Sequence, residues 1–407
     1  MTSYVLPAYF HAHTKPGFFY SLVRLISLQL GCPAPFSKNA TLLNAESQIE
    51  HNKYIIFLPA LMFCGGRWSP EDNPIYSLSD CAVRDINSSK AVVIVDHSQE
   101  SGSQQHMDLI EKLCVEKKIY NLRNIIHISQ NRLLDSIHHS IQHFSADYHI
   151  IRAAYYIINN ILSEENDRNL DIAMTNRLKD KSVLCLNATP KAHRLLACAA
   201  LHHYDLLDNS LVSFPGTTYA KGLPLDVQAL MRKLGALKYL RSSIRHVIEI
   251  SPLIVDSFTE TGNSLAHKID IAPYQRTWIS LVTETAVGKG AERITEKTFK
   301  SMALGHPYIS YNGMNTIKTI KELGFGVYSD VISGEYDTID NSYVRLEYII
   351  DEIRKFLYII ESGDVNKFNY IVSESRSNRD WLRGGFIGFY QDRFISPIIK
   401  YIGERLS

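Results

Sequence analysis

Short apolar runs rich in β-branched residues alternate with helical patterns along the whole chain, and no other feature narrows the fold so much. A run without polar alternation suits a strand covered on both faces, and such strands belong to parallel sheets flanked by helices. In the first half, "YIIFLP" (54–59), "AVVIVDH" (91–97) and "NIIHIS" (124–129) read as strands of this kind. Between the last two, "QQHMDLIEKLCVEKK" (104–118) reads as an amphipathic crossover helix, with Leu109, Ile110 and Leu113 as its inward stripe. "SADYHIIRAAYYIINNILSEEN" (145–166) reads as a long helix closing this half. The polar, weakly patterned "DRNLDIAMTNRLKDK" that follows is the expected interdomain segment.

The second half restarts the pattern. "SVLCLN" (182–187), "HVIEIS" (246–251), "WISLVTE" (278–284), "PYIS" (307–310) and "GVYS" (326–329) read as strands. Helices are expected after the "ATPK" turn and over 295–304, 314–323 and 342–361. A chain of 407 residues exceeds one ordinary hydrophobic core. The expected fold is therefore α/β, with two facing Rossmann-like domains and a cleft between them. The expected domains are 1–166 and 167–384, with an amphipathic tail, 385–407, packing back on the first.

Composition excludes several classes. The longest apolar stretch, "YIIFLPALMFC", is about half of what a bilayer span needs. The opening "MTSYVLPAYFHAH" lacks the basic and apolar regions of a signal peptide, so a cytoplasmic location is expected, with peripheral membrane association left open. A net charge of +1 without a basic block argues against a nucleic-acid partner. The six cysteines, Cys32, Cys64, Cys81, Cys114, Cys185 and Cys198, form no C-x-x-C pair, which argues against a disulfide framework and a zinc site. "SIHHSIQHF" (His138, His139, His143) comes nearest to a metal cluster and lacks a carboxylate on a clean helical face. No metal is expected.

Two segments carry chemistry. In "LCLNATPKAHRLL" a strand ends at Asn187, Pro190 turns the chain, and a helix opens with Lys191, His193 and Arg194. Cations at a helix N-terminus oppose its dipole, and a bound anion would offset that cost. Side chains splayed into solvent are the competing reading. In "WISLVTETAVGKGAERITEKTFKSMALGHPYIS" a strand ends near Glu284, a loop carries Lys289 and Arg293, and Thr295 caps a helix that starts with Glu296 and Lys297. Carboxylates there suit vicinal hydroxyls, and Lys297 suits phosphate. Glu296 as a dipole partner beside solvated lysines explains the same residues equally well.

"LVTET" followed by "RITEKTFKSMALGHPYI" resembles the donor-binding motif of fucosyltransferase-like glycosyltransferases. The chain is also similar to a broader group of bacterial and phage proteins in which "LNATPKAHR" and "ELGFGVYSDVISGEYD" flank that motif in the same order. The match covers roughly 182–350, and the first 165 residues carry no recognised motif. The resemblance implies a GT-B architecture and a metal-independent, hexosyltransferase-like enzyme of polysaccharide biosynthesis. It would have no cofactor beyond the nucleotide sugar it uses as substrate, and its acceptor would be a glycan or other hydroxyl. It further implies that Glu296 and Lys297 contact donor ribose and phosphate, with Glu284 and Arg194 as the matching strand-end acid and first-helix base. The loop "AVGKGAER" departs from the fucosyltransferase pattern, leaving sugar and nucleotide open.

An inverting transfer needs a base, and Asp96, His97 and Glu100 at the end of "AVVIVDH" are the candidates, with His11 and His13 behind them. Asp96 closing the next turn over a packed His97 is the structural alternative. Two other functions fit the same residues. One is a transferase for CMP-activated acidic sugars of the sialic acid or Kdo type; the other is a nucleotide- or glycan-binding protein without turnover.

Overall fold

A computed structural model describes residues 8–10, 53–59, 75, 76, 78–98, 104–136, 140–147, 150, 154, 179–217, 225–255, 269–288 and 294–407. The chain separates into two compact units, Met1–Arg152 with Gly388–Ser407, and Ala153–Ile387. Each contains a parallel sheet.

The first unit holds β1 (Ala8–Phe10), β2 (Tyr54–Pro59), β3 (Ala91–His97), β4 (Ile125–Ser129) and β5 (Gln142–Ser145), side by side in chain order. Helix α1 (Asp80–Asn87) precedes β3 and α2 (Gln104–Glu116) precedes β4. Right-handed crossovers between strands laid down in sequence all fall on one face of the sheet. One buried cluster accordingly joins Ala82 and Ile86 of α1 and Met107, Ile110 and Leu113 of α2 to Ile56, Val93 and Val95. Leu109 does not join that stripe: it is 38% exposed, and Met107 and Cys114 take the inward positions. The stripe follows the spacing 107, 110, 113, 114, which matches the helical period better than three near-consecutive leucine and isoleucine positions.

The opposite face carries Ile55, Phe57, Val92 and Ile94, all buried. Part of its cover comes from the end of the chain. Phe144 pairs with Ile128, on the face away from Val95, and its ring meets that of Tyr401 edge-on at 5.6 Å. Tyr390 receives further anchoring: its hydroxyl lies 2.6 Å from the Asp147 backbone nitrogen, from which it accepts a hydrogen bond.

The second unit holds β6 (Lys181–Leu186), β7 (Leu211–Ser213), β8 (Thr277–Thr283) and β9 (Tyr308–Tyr311) in the spatial order β7-β6-β8-β9. Its helices are α3 (Ala192–His203), α4 (Val227–Lys233), α5 (Arg241–Ile250), α6 (Ala272–Arg276), α7 (Glu296–Ala303), α8 (Thr316–Glu322), α9 (Ser342–Ser362) and α10 (Val365–Gly384). Two helices close the chain, α11 (Phe386–Tyr390) and α12 (Ser396–Leu406), the latter burying Ile398, Ile402 and Leu406.

Two expected strands are absent from this sheet. "HVIEIS" lies almost wholly in α5, where Ile244 and Val247 bury three residues apart beside α3, so packing selects the helical period over the local alternation. "GVYS" forms no strand because Tyr328 has φ 58°, a left-handed conformation that breaks an extended run. Ser145 ends β5 instead of opening a helix, and most of 145–166 lies outside the described residues. The expected interdomain segment lies there too, apart from its last residues.

Candidate functional site

The chain leaves β6 toward β7 and leaves β8 toward β9 on the other side, so the carboxyl ends of β6 and β8 form a topological switch point. Ligands of open α/β sheets bind at such points. Asn187 follows β6 and Glu284 follows β8. The Thr283 hydroxyl donates to Asn187 Oδ1 at 2.5 Å, tying the two strand ends together. Thr283 points toward α3 and its neighbour Glu284 toward α7, so these two helices cover opposite faces.

Helix α3 begins without a capping side chain, because its N-cap is Lys191. Lys191 Nζ donates instead across the strand ends to the Thr285 carbonyl at 2.7 Å. His193 Nε2 lies 2.8 Å from the Glu284 carbonyl, which can only accept, so Nε2 carries the proton and Nδ1 is an acceptor. Burial, with the charges of Arg194, Lys191 and Lys297 behind it, holds His193 near pKa 4 against that carbonyl. Arg194 is 4% exposed. Its NH1 donates to the Thr189 hydroxyl and carbonyl, and its Nε has no partner. Burial lowers its pKa, while the charges of Glu284 and Glu296 support the cation.

Glu284 was expected to meet ligand hydroxyls and instead holds α7 in place. Its carboxylate is fully buried and accepts from the Thr295 N–H at 2.9 Å, the Thr295 hydroxyl at 2.5 Å and the Thr298 hydroxyl at 2.8 Å. The acid therefore fixes the first turn of α7 from beneath. Glu296 and Lys297 sit above it and pair at 2.9 Å. Burial opposes the Glu296 charge, but Lys297 outweighs it and brings the carboxyl to about 2. Lys297 Nζ also reaches Thr295 Oγ1 at 3.0 Å and keeps 27% of its side chain exposed.

Sequence reasoning missed two members of this group. Thr298 shares Glu284 with Thr295, and the T-x-x-T spacing on one helical turn was its signal. Arg345, buried on α9, donates from NH2 to the Val287 carbonyl at 2.5 Å and from NH1 to the Ile339 carbonyl, pinning the loop after β8. No motif marked it. Lys289 and Arg293 lie outside the described residues.

The structure thus gathers Asn187, Lys191, His193, Arg194, Glu284, Thr295, Glu296 and Lys297 at one sheet edge. Three cations and the N-termini of α3 and α7 face two carboxylates there, one of them committed to internal hydrogen bonds. Such an edge can hold an anionic group such as phosphate.

The first unit presents a different edge. Asp96 Oδ1 accepts the Ser98 N–H at 2.8 Å, closing the turn, and burial raises the carboxyl's pKa against that bond. His97 is buried, with Nδ1 2.7 Å from His127 Nε2. The next ring, His143, contacts Asp135 through Nδ1 at 2.8 Å and Ser129 Oγ through Nε2 at 3.0 Å. The distances are those of a Ser-His-Asp relay, but Ser129 is fully buried and accepts the Asn131 N–H, while Asp135 is the exposed member. A nucleophile has to meet its substrate, so this row braces the turns after the strands. Glu100, His11, His13, His138 and His139 lie outside the described residues.

Among the described residues no group of three His, Cys, Asp or Glu side chains is placed to hold a metal ion. No described helix is long and apolar enough to cross a membrane. The chain matches no family model, no curated protein and no solved structure.

Proposed function

We propose that the second unit binds a nucleotide-sugar donor and that the chain is a glycosyltransferase of the GT-B class, moving a sugar to a glycan or other hydroxyl acceptor. The observation that supports this best is the cationic switch point, where the uncapped α3 and the Lys297 turn of α7 flank the ends of β6 and β8. A diphosphate there would find two helix N-termini, Lys297 and Arg194. These groups would stabilise the charge that grows on the leaving nucleotide. Glu284, Thr295 and Thr298 act as positioning residues, since they fix the turn that carries Lys297.

Calorimetric titration with UDP, GDP and CMP tests the donor half. One nucleotide should bind, and Lys297→Ala should weaken it about tenfold or more. Failure of all three to bind, or binding indifferent to Lys297→Ala, overturns the proposal. Preference for CMP selects a donor with a CMP-activated acidic sugar, and binding without hydrolysis or transfer marks a protein that binds without turnover.

A further inference from the structure

Two of the cysteines in the second unit touch one side chain, Asn187. Cys185 lies on β6 and Cys198 on α3, both fully buried and both free thiols. Asn187 Nδ2 is 3.3 Å from Cys185 Sγ and 3.7 Å from Cys198 Sγ, so one amide group touches both sulfurs. Cys185 stands two residues before Asn187 on the same strand face, and Cys198 stands one helical turn after Arg194. The pair therefore lies directly behind two residues of the switch-point site.

The two thiols differ in character. The neighbouring Cys198 thiol, then the Asn187 amide and the Arg194 charge, lower the Cys185 pKa against burial, and Cys198 is raised by its partner. Cys114, buried in the first unit, is pushed up to about 12 by burial. Thiolate character governs cysteine oxidation, so Cys185 is the more reactive of these thiols once an oxidant reaches it.

We propose that Cys185 and Cys198 are an oxidation site for hydroperoxides, closing to an internal disulfide that disturbs the switch point through Asn187. The Cys185 thiol gives up its proton, its thiolate attacks a peroxide oxygen, the O–O bond breaks, and the departing hydroxide takes that proton as water. The resulting Cys185 sulfenic acid is attacked by the Cys198 sulfur. The S–S bond forms, the S–O bond breaks, and the departing hydroxide takes the Cys198 proton as a second water. The dithiol loses two electrons and the peroxide gains them. Closing the S–S bond draws β6 toward α3 and shifts the two sulfurs that Asn187 Nδ2 touches. Asn187 also holds Thr283, so the displacement reaches the end of β8.

Treat the folded full chain with hydrogen peroxide, block remaining thiols and weigh the peptides. The Cys185 and Cys198 peptides should be found joined and lighter by two hydrogens, with dithiothreitol reversing the link and Cys114 still free. Two free thiols after exposed Cys81 has reacted, or separate sulfinic acids at either position, overturn the inference. Cys198→Ser should stop the reaction at a sulfenic acid that dimedone traps on Cys185. If that variant fails to fold, the wild-type masses decide alone. The effect on the site rests on the nucleotide reading: the oxidised chain should bind the nucleotide selected by titration about fivefold or more weakly. Equal affinity in both forms refutes the coupling. A reduced chain that binds no nucleotide refutes the donor reading, while the masses still judge the disulfide.

Discussion

The two sheets of this protein are built from the same kind of strand and end differently. In the first, strands lie in chain order, the crossovers α1 and α2 share one face, and the carboxyl edge is filled by side chains that bond one another: Asp96 to Ser98, His97 to His127, His143 to Ser129 and Asp135. In the second, the order reverses beside β6, helices cover both faces, and the carboxyl edge keeps Lys297 and an uncapped helix start. Strand order decides which edge is open to a ligand. Where every connection runs the same way, no crevice opens between neighbouring strand ends.

The largest expected effect strikes the face that the sequential order leaves without crossovers. Ile398→Ala with Ile402→Ala should cost roughly 4 kcal/mol or more in the first unit, because each change removes buried methyl groups from α12. Hydrogen exchange should show β2 to β4 losing protection and β6 and β8 keeping it. Equal losses in both sheets would erase the distinction.

Glu284→Leu should come next, at roughly 3 kcal/mol, since the Thr295 N–H and two hydroxyls lose a charged acceptor. Denaturant unfolding reads the cost, and exchange should rise over α7 while the first sheet is unchanged. A change below 1 kcal/mol, on the scale of an ordinary surface substitution, would show that the turn does not depend on this acid.

The smallest effect depends on pH. His193 sits near 4 and His306 near 3, each buried, against 6.5 for the unfolded side chains. His306 donates from Nε2 to the Thr277 carbonyl at 2.9 Å and accepts the Ser280 hydroxyl at Nδ1, so it is held neutral. Both folded values are depressed, so the unfolded chain takes protons first as pH falls. Stability present above 6.5 is lost toward 4 for His193 and toward 3 for His306, at a slope that approaches about 1.4 kcal/mol per pH unit for each, so between pH 6 and 4 each contributes about 2 kcal/mol. His306→Asn should remove one histidine's share of that slope between pH 6 and pH 4. An unchanged slope would mean that His306 is already protonated in the fold.

Much of this was legible in the sequence. Buried parallel strands leave continuous apolar runs, so β2, β3, β4, β6, β8 and β9 show plainly in "YIIFLP", "AVVIVDH", "NIIHIS", "SVLCLN", "WISLVTE" and "PYIS". β5, "QHFS", is mostly polar, and its two buried residues are Ser145 and His143, the latter bonded to Ser129 of β4. β7 is three residues long, too short for any period. The site residues were found because strand ends and helix starts carry local signals: Pro190, the Thr295 cap and clustered charge. The role of Glu284 was not legible, since a carboxylate facing a ligand and one facing two threonines have the same letters around them. Arg345 could not be found either, because its partners are backbone carbonyls, which no side-chain pattern marks, one of them in the distant loop after β8.

The return of the chain to its first unit has a consequence for synthesis. Residues 388–407 emerge from the ribosome after the whole of the second unit. Domains ordinarily complete themselves in the order they are made, the N-terminal one first. Here the second unit has all its residues while the first still lacks Ile398, Ile402 and Leu406 from its core. The portion of sheet those residues cover stays wet until their codons are read, so a product cut off before them would carry a finished second unit and an unfinished first.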